Sequence, residues 1–143
     1  MRHIMVATDG SSGADRAVDV AAELAKAVAG DLLIATVAGN ISGEEARKLA
    51  RAEASSIGDA LEALTAQILR VAEVRARHLG VSRIELRTSW GDVAQSLLEI
   101  AAHGPVDMIV LGRRGRGQLA GLLLGSVSQK VVSLAPCPVI VVP

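Results

Sequence analysis

Five short strand-like runs, four of them apolar, separated by stretches with helical spacing, constrain this chain more than any other feature of it. The runs are Ile4–Thr8, Leu32–Val37, Ile84–Ser89, Asp107–Leu111 and Val139–Val142. Between the first two, Ala14, Ala17, Val18, Ala21, Ala22, Ala25 and Val28 recur at the spacing of one helix face. Near-continuous apolar strands that alternate with helices predict a parallel sheet covered on both faces. Ile84–Ser89 departs from the rest by alternating apolar and polar residues, as an edge strand would. Right-handed crossovers leave few topologies, and order 3-2-1-4-5 is the simplest that sets strands one and four side by side. The expectation is a doubly wound α/β fold: a five-stranded parallel sheet with helices on both faces, in a single domain over residues 1–143.

Local signals divide the chain further. Ser12 with Asp15 predicts a capping box opening the first helix, and Gly30 its end. Residues 44–79 keep a helical stripe too long for one helix in a compact domain, so a break is expected around residues 55–58. Asp92 with Gln95 predicts the start of a helix ending at Gly104-Pro105. Ser126 with Gln129 predicts a last helix through Leu134, stopped by Pro136-Cys-Pro138. Trp90 is expected to pack at the end of the sheet.

Composition excludes several functions. Half the residues are hydrophobic, yet there is one Trp and no Phe or Tyr. The core must therefore be aliphatic, and stacking platforms for single-stranded nucleic acid are lacking. Zero net charge argues against a general polyanion binder, so no nucleic-acid partner is expected. The single Cys137 excludes an internal disulfide and fits a reducing cytoplasm. No signal segment or membrane-length apolar run is read, so no membrane partner is expected. His3, His78 and His103 show no ligand spacing, and no protein-built metal site is predicted.

The chemistry points to the chain's last quarter. Gly112-Arg-Arg-Gly115, nine residues, then Gly125-Ser126 follow the fourth strand and precede the last helix. Glycines at such a junction let backbone N–H groups approach an anion, and the helix N-terminus favours a phosphate. After Asp107 there is no acidic residue, while Arg113, Arg114, Arg116 and Lys130 give a local charge of +4. Two better-known motifs fail here. The frame Gly112–Gly117 lacks the Lys and Ser/Thr of a phosphate-binding loop, because Gln118-Leu119 stand there. Gly115-Arg-Gly117-Gln-Leu-Ala120 lacks the ribose-binding acid about 20 residues on that a dinucleotide site needs. The plain alternative is a solvated glycine loop. On that alternative Asp9 is a loop cap and Ser126 an N-cap alone. In the predicted strand order, however, Thr8-Asp9 and Gly112 end neighbouring strands where the chain reverses direction, which is where open α/β sheets bind ligands.

The same residues resemble the universal stress protein family, and specifically its ATP-binding branch. Ile4-Met-Val-Ala-Thr-Asp9-Gly10-Ser11 is similar to the family's opening strand and loop. Asp107–Gly112, Gly115 and Leu122-Leu-Leu-Gly125-Ser126-Val127-Ser128 resemble its G-2x-G-9x-G-S/T signature, and Ala135–Val142 its final strand. The likeness spans the chain and is weakest over residues 40–80. It implies Asp9 by the ribose, Ala7 and Thr8 beside the adenine-ribose region, and Val37 on the adenine. Leu111 and Gly112 would line the ribose, Arg114 and Gly115 the phosphates, and Gly125, Ser126 and Val127 the triphosphate. The implied ligand is ATP, or AMP or ADP, with Mg2+ held chiefly by phosphate oxygens. Two departures stand out: Gln129 replaces a frequent Glu, and Arg113-Arg114 is more basic than usual.

The resulting expectation is a nucleotide-dependent stress-response regulator with slow or no hydrolysis, and no catalytic residues are assigned. A slow ATPase and a protein-interaction module without nucleotide are the alternatives. Val139, Ile140, Val141 and Val142 form an apolar strand expected at the sheet's edge, and two copies pairing there would make a homodimer.

Overall fold

The computed structural model describes residues 1–38, 57–113 and 124–143. In chain order the elements are β1 (His3–Ala7), α1 (Ser12–Ala27), β2 (Asp31–Val37), α2 (Ile57–His78) and β3 (Ile84–Ser89). They continue with α3 (Val93–His103), β4 (Met108–Gly112), α4 (Ser126–Leu134) and β5 (Val139–Val142). The strands form one sheet of order β3-β2-β1-β4-β5, and every pairing is parallel. This is the expected doubly wound arrangement.

Side-chain alternation along the strands divides the core into two. Ile4 and Val6 of β1, Leu32 and Ile34 of β2 and Val110 of β4 face α1 and α2. Met5, Ala35, Val37, Ile109 and Leu111 face α3 and α4 instead. Both faces of the central strands are thus buried, which explains their uninterrupted apolar sequence. Each fully buried Met, Leu or Ile contributes roughly 1.5–3 kcal/mol. On the first face, Ala17, Ala21, Ala22 and Ala25 are all fully buried. Methyl-sized side chains there let α1 lie close across β1 and β4.

Several boundaries differ from the sequence reading. The α1 N-cap is Ser11, not Ser12: its side chain accepts from Ala14 N at 3.2 Å, and its carbonyl accepts from Asp15 N. Ser11 holds extended angles, whereas Ser12 is already helical, so the cap moves back one residue. At the other end, Ala29 takes the left-handed turn, with φ 51°. Gly30 serves a different need, since a Cβ there would lie 2.2 Å from the carbonyl oxygen of Arg2. The helix α2 is described from Ile57, inside the stretch where a break was expected; at 22 residues it is about 33 Å long. The expectations for residues 39–56 lie outside the described residues. Asp92 caps α3 as anticipated, accepting from Gln95 N at 2.8 Å.

The sheet's amino end is held by a polar cluster. The Asp107 carboxylate accepts from the backbone N–H groups of Arg2 and His3, each at 2.9 Å. Asp31 meets His3 Nδ1 at 3.2 Å and Arg83 Nε at 2.7 Å. His3 thus takes part in the polar cluster at this end of the sheet. On the α1–α2 side, Arg75 binds Asp19 through both Nε and a terminal nitrogen, which raises its pKa above the usual arginine value.

Candidate functional site

The carboxyl ends of β1 and β4 lie side by side, because Val6 pairs with Val110 just before both strands finish. Beyond that pair, Thr8 N donates to Ala35 O at 2.9 Å, extending the β1–β2 ladder one more residue. The turn that follows is pinned by its own side chains. Gly10 N donates to Thr8 Oγ1 at 3.2 Å, and Ser11 N donates to Asp9 Oδ1 at 2.9 Å. Gly10 sits at φ 80°, where a residue with a Cβ is strained. Asp9 thus takes part in the loop's structure while remaining partly exposed at the end of β1.

The β4 side is organised around one peptide. Gly112 pairs with Val142, and Arg113 N donates to Val142 O at 2.7 Å. The Arg113 carbonyl then accepts from Gly125 N at 2.8 Å and from Ser128 Oγ at 2.7 Å. Ser128 Oγ also lies 3.2 Å from Gly125 O, and the residue is 2% exposed. The first turn of α4 is therefore tied directly to the end of β4. The residue just past the strand and the residue before the helix are in contact across the intervening segment. Sequence reasoning missed this anchoring role of Ser128. A serine three residues after the cap glycine, on the helix face that turns inward, was the available signal.

The expected Ser126 cap requires correction. Gly125 is the N-cap, with extended angles of φ −73° and ψ 168°, and Gln129 N donates to its carbonyl at 3.0 Å. Ser126 is already the first helical residue, so its hydroxyl is not the cap. Gly125 supplies no side-chain cap to α4, in contrast to Ser11 for α1 and Asp92 for α3. The first turn of any helix presents N–H groups without intrahelical partners, together with the positive end of the dipole. At α4 those groups meet no capping side chain from the N-cap. Gly125's angles suit any residue, so its conformation does not require glycine.

The apolar residues named from the sequence come together. Val37 and Leu111 are buried in one cluster, and Ala7 and Val127 pack against it. These four residues come from β1, β2, β4 and α4, so the cluster runs beneath the carboxyl ends of three adjacent strands. Thr8 and Asp9 stand beside it, and Gly112, Gly125 and Ser126 lie on the β4–α4 side. Arg114 and Gly115 lie outside the described residues. Among the described residues, no group of three His, Cys, Asp or Glu side chains could hold a metal ion. Arg113 Nε is buried without a hydrogen-bond partner among the described residues.

Trp90 also departs from expectation, since it is 54% exposed rather than packed into the sheet end. It follows Ser89, the register partner of Val37, and precedes Gly91, whose φ of 104° turns the chain sharply away from the strand. The loop is fastened to the second face: Ser96 Oγ donates to Trp90 O at 3.3 Å, and Asp92 lies 3.7 Å from Lys130 Nζ of α4. On the same face Cys137 is partly buried. Its thiol pKa is raised by burial first and by the Asp107 charge second, so it is a poor nucleophile near neutral pH.

An open, doubly wound parallel sheet with helices on both faces defines the Rossmann-like class of α/β proteins. Within that class the chain belongs to the universal stress protein family, whose family model matches residues 1–143. A universal stress protein of Thermus aquaticus is 35% identical over 144 residues, covering 97% of this chain and 96% of the relative. A Mycobacterium tuberculosis universal stress protein is 35% identical over 139 residues, covering 97% and 94%. Among solved structures, a universal stress protein in complex with cAMP is 34% identical, with a TM-score of 0.75 and coverage of 99% and 97%. The universal stress protein UspA from Lactobacillus plantarum, 23% identical, shares the fold with a TM-score of 0.80 and coverage of 99% and 97%. An Archaeoglobus fulgidus family member, 20% identical with a TM-score of 0.73 and coverage of 100% and 98%, was solved with dAMP. No described helix is long and apolar enough to cross a membrane.

Proposed function

We propose that the crevice between β1 and β4 binds an adenine nucleotide, ATP foremost, and that occupancy switches the protein as a cytoplasmic stress-response regulator. The observation that carries this reading is the β4–α4 junction. The Arg113 carbonyl fastens Gly125 and Ser128 in place while the glycine N-cap leaves α4 without a side-chain acceptor of its own. A phosphate is the ligand that such an N-terminus favours. The cluster of Ala7, Val37, Leu111 and Val127 offers the flat apolar backing that a base and ribose need. Arg114 and Gly115 complete the phosphate side in this reading, with Mg2+ carried by the phosphates.

Binding without rapid turnover follows from the same residues. Asp9, the acid at the end of β1, is held by Ser11 N in its own loop and suits a ribose hydroxyl better than an attacking water. Titration calorimetry with ATP, ADP, AMP and cAMP tests the reading, and a phosphate-release assay separates a binding regulator from a slow ATPase. The 34% identical structure solved with cAMP favours a second ligand of the same class, a cyclic nucleotide. Tighter binding of cAMP than of ATP would select it.

The regulator is proposed to act as a homodimer through Val139–Val142. The strand β5 is at the sheet's edge, and its outer backbone groups have no strand partner among the described residues. Sedimentation of the wild type at micromolar concentration is expected to show a dimer, and Ile140→Lys a monomer. A monomeric wild type would contradict this assembly.

A further inference from the structure

The outer flank of β3 carries a groove that the nucleotide site does not use. Leu86 pairs in register with Ile34, so both side chains lie on the sheet face that α2 covers. Ile34 is fully buried there, yet Leu86 is 38% exposed. The helix therefore closes over β2 and leaves β3 partly open. Between α2 and β3 is a cavity of about 480 Å³, with Leu69 and Leu86 as its apolar floor and Glu62, Ala66, Arg70 and Thr88 along its rim. On the helix, Glu62, Ala66 and Arg70 follow one another at four-residue spacing in a single row. The small Ala66 leaves a gap between the two charged side chains.

The backbone of β3 adds a second observation. Leu32 N donates to the Arg83 carbonyl, so Arg83, and at alternate positions Glu85 and Arg87, turn their backbone groups toward β2. Ile84, Leu86 and Thr88 turn theirs outward, where β3 has no strand partner among the described residues. Leu86 and Thr88 thus offer side chains to the groove and hydrogen-bonding groups to the edge beside it. A small molecule could fill the groove but would leave that backbone row unmet. An extended chain meets both.

Charge and spacing define the chain that fits. Neither Glu62 nor Arg70 has an ionic partner among the described residues, whereas Glu73 of the same groove is paired with Arg77 at 3.4 Å. Because α2 runs down from the carboxyl ends of the strands and β3 runs back up, Glu62 stands at the Thr88 end and Arg70 at the Ile84 end. From Glu62 to Arg70 the helix rises about 12 Å, and from Ile84 to Thr88 the strand rises about 13 Å. Alternate residues of a strand added beside β3 therefore fall level with Glu62, the Ala66 gap and Arg70.

We propose that this edge binds an extended segment of a partner protein as an added strand, one bearing a basic, an aliphatic and an acidic residue at alternate positions. The basic residue meets Glu62, the aliphatic one enters over Leu69 and Leu86, and the acidic one meets Arg70. The surface lies on the flank of the sheet, away from the β1–β4 crevice, and stands whether or not a nucleotide binds there.

The probe is a fluorescein-labelled nine-residue peptide of Thr and Val, with Lys, Val and Asp at its alternate central positions, made in both chain orders. Fluorescence anisotropy with the 143-residue chain reads its binding. Saturable binding of one order, with a Kd below about 1 mM, is expected. Arg70→Glu should weaken it by about fivefold or more and should strengthen binding of the same peptide with Lys in place of its Asp. Ala66→Leu keeps a good helix former at an exposed position, so the fold should survive, as circular dichroism would show. Filling the gap should nevertheless cost about tenfold in affinity. In the bound wild type, amide hydrogen exchange at Leu86 and Thr88 should slow, because their N–H groups gain acceptors. Binding of neither order would overturn the proposal, as would affinity that both folded variants leave unchanged. Binding without slowed exchange at Leu86 and Thr88 would overturn the added strand. Self-association of the wild type that Ala66→Leu abolishes would put a second copy of the chain in the groove and overturn it equally.

Discussion

The two ends of one sheet are built on opposite principles. At the amino end the backbone N–H groups of Arg2 and His3 meet Asp107, and Asp31 is shared by His3 and Arg83. Gly30 is pressed against the Arg2 carbonyl. Polar groups there are matched within the chain and the backbone is closely packed. At the carboxyl end Gly125 caps α4 without a side-chain acceptor, Ser126 is exposed, and the local arginines have no acid near them in sequence. On the proposed function, the amino end serves stability and the carboxyl end receives the ligand. Substitutions at the two ends should therefore separate stability from binding.

The largest effect is expected from Gly125→Val. Valine tolerates the extended N-cap angles, so the fold should survive, but its branched side chain would stand where phosphate approaches the backbone. Affinity for ATP should fall more than about 100-fold, or about 2.7 kcal/mol, with little change in melting temperature. Undiminished ATP affinity in the folded variant would break the comparison at its functional end.

Gly30→Ala should do the reverse. The added Cβ meets a backbone oxygen at 2.2 Å, so either the β1 end or the α1–β2 turn must shift. A loss of about 2 kcal/mol is expected from overpacking, measured by urea denaturation, with ATP affinity nearly unchanged.

Asp107 sharpens the comparison through pH. The His3 and then the Arg2 backbone N–H hold its carboxyl below the ordinary carboxylate range. A group depressed on folding contributes stability above its unfolded pKa and loses it as pH falls through the folded value. The stability gap between the wild type and Asp107→Asn should thus be constant near neutrality and close below about pH 4. A gap that persists unchanged to pH 2 would show that the charge of Asp107 is not what stabilises the strand ends.

The smallest effect is expected at Arg114, which the proposed function places at the phosphates. Arg114→Ala should weaken ATP more than AMP, by several-fold at low salt and less at high salt, as exposed charges are screened. Equal losses for the two nucleotides would move this side chain toward the base or ribose.

The fold was legible because its signals are strong and local. Apolar runs such as Ile4–Val6 and Ile109–Leu111 occur where both sheet faces are covered, and β3 alternates because it is an edge. The switch-point argument then brought Asp9 and Gly112 together although more than 100 residues separate them. What sequence did not yield depends on single residues competing for one role. Ser11 and Ser12 are chemically equal as caps, and only the backbone angles choose between them. Gly125 displaced Ser126 as N-cap for the same reason. Trp90 was misplaced because a lone tryptophan usually packs, and nothing local announces that the turn at Gly91 leaves it exposed. Ser128 was passed over because its bond to the Arg113 carbonyl spans 15 residues.

The central claim is that the carboxyl end of the sheet, and not the amino end, receives an adenine nucleotide. Amide chemical-shift mapping by NMR during an ATP titration tests it residue by residue. The account predicts shifts at Asp9, Gly112, Gly125, Ser126 and Val127, with Arg2, His3, Asp31 and Asp107 unmoved. Shifts confined to the amino end, or none at saturating ATP, would contradict it.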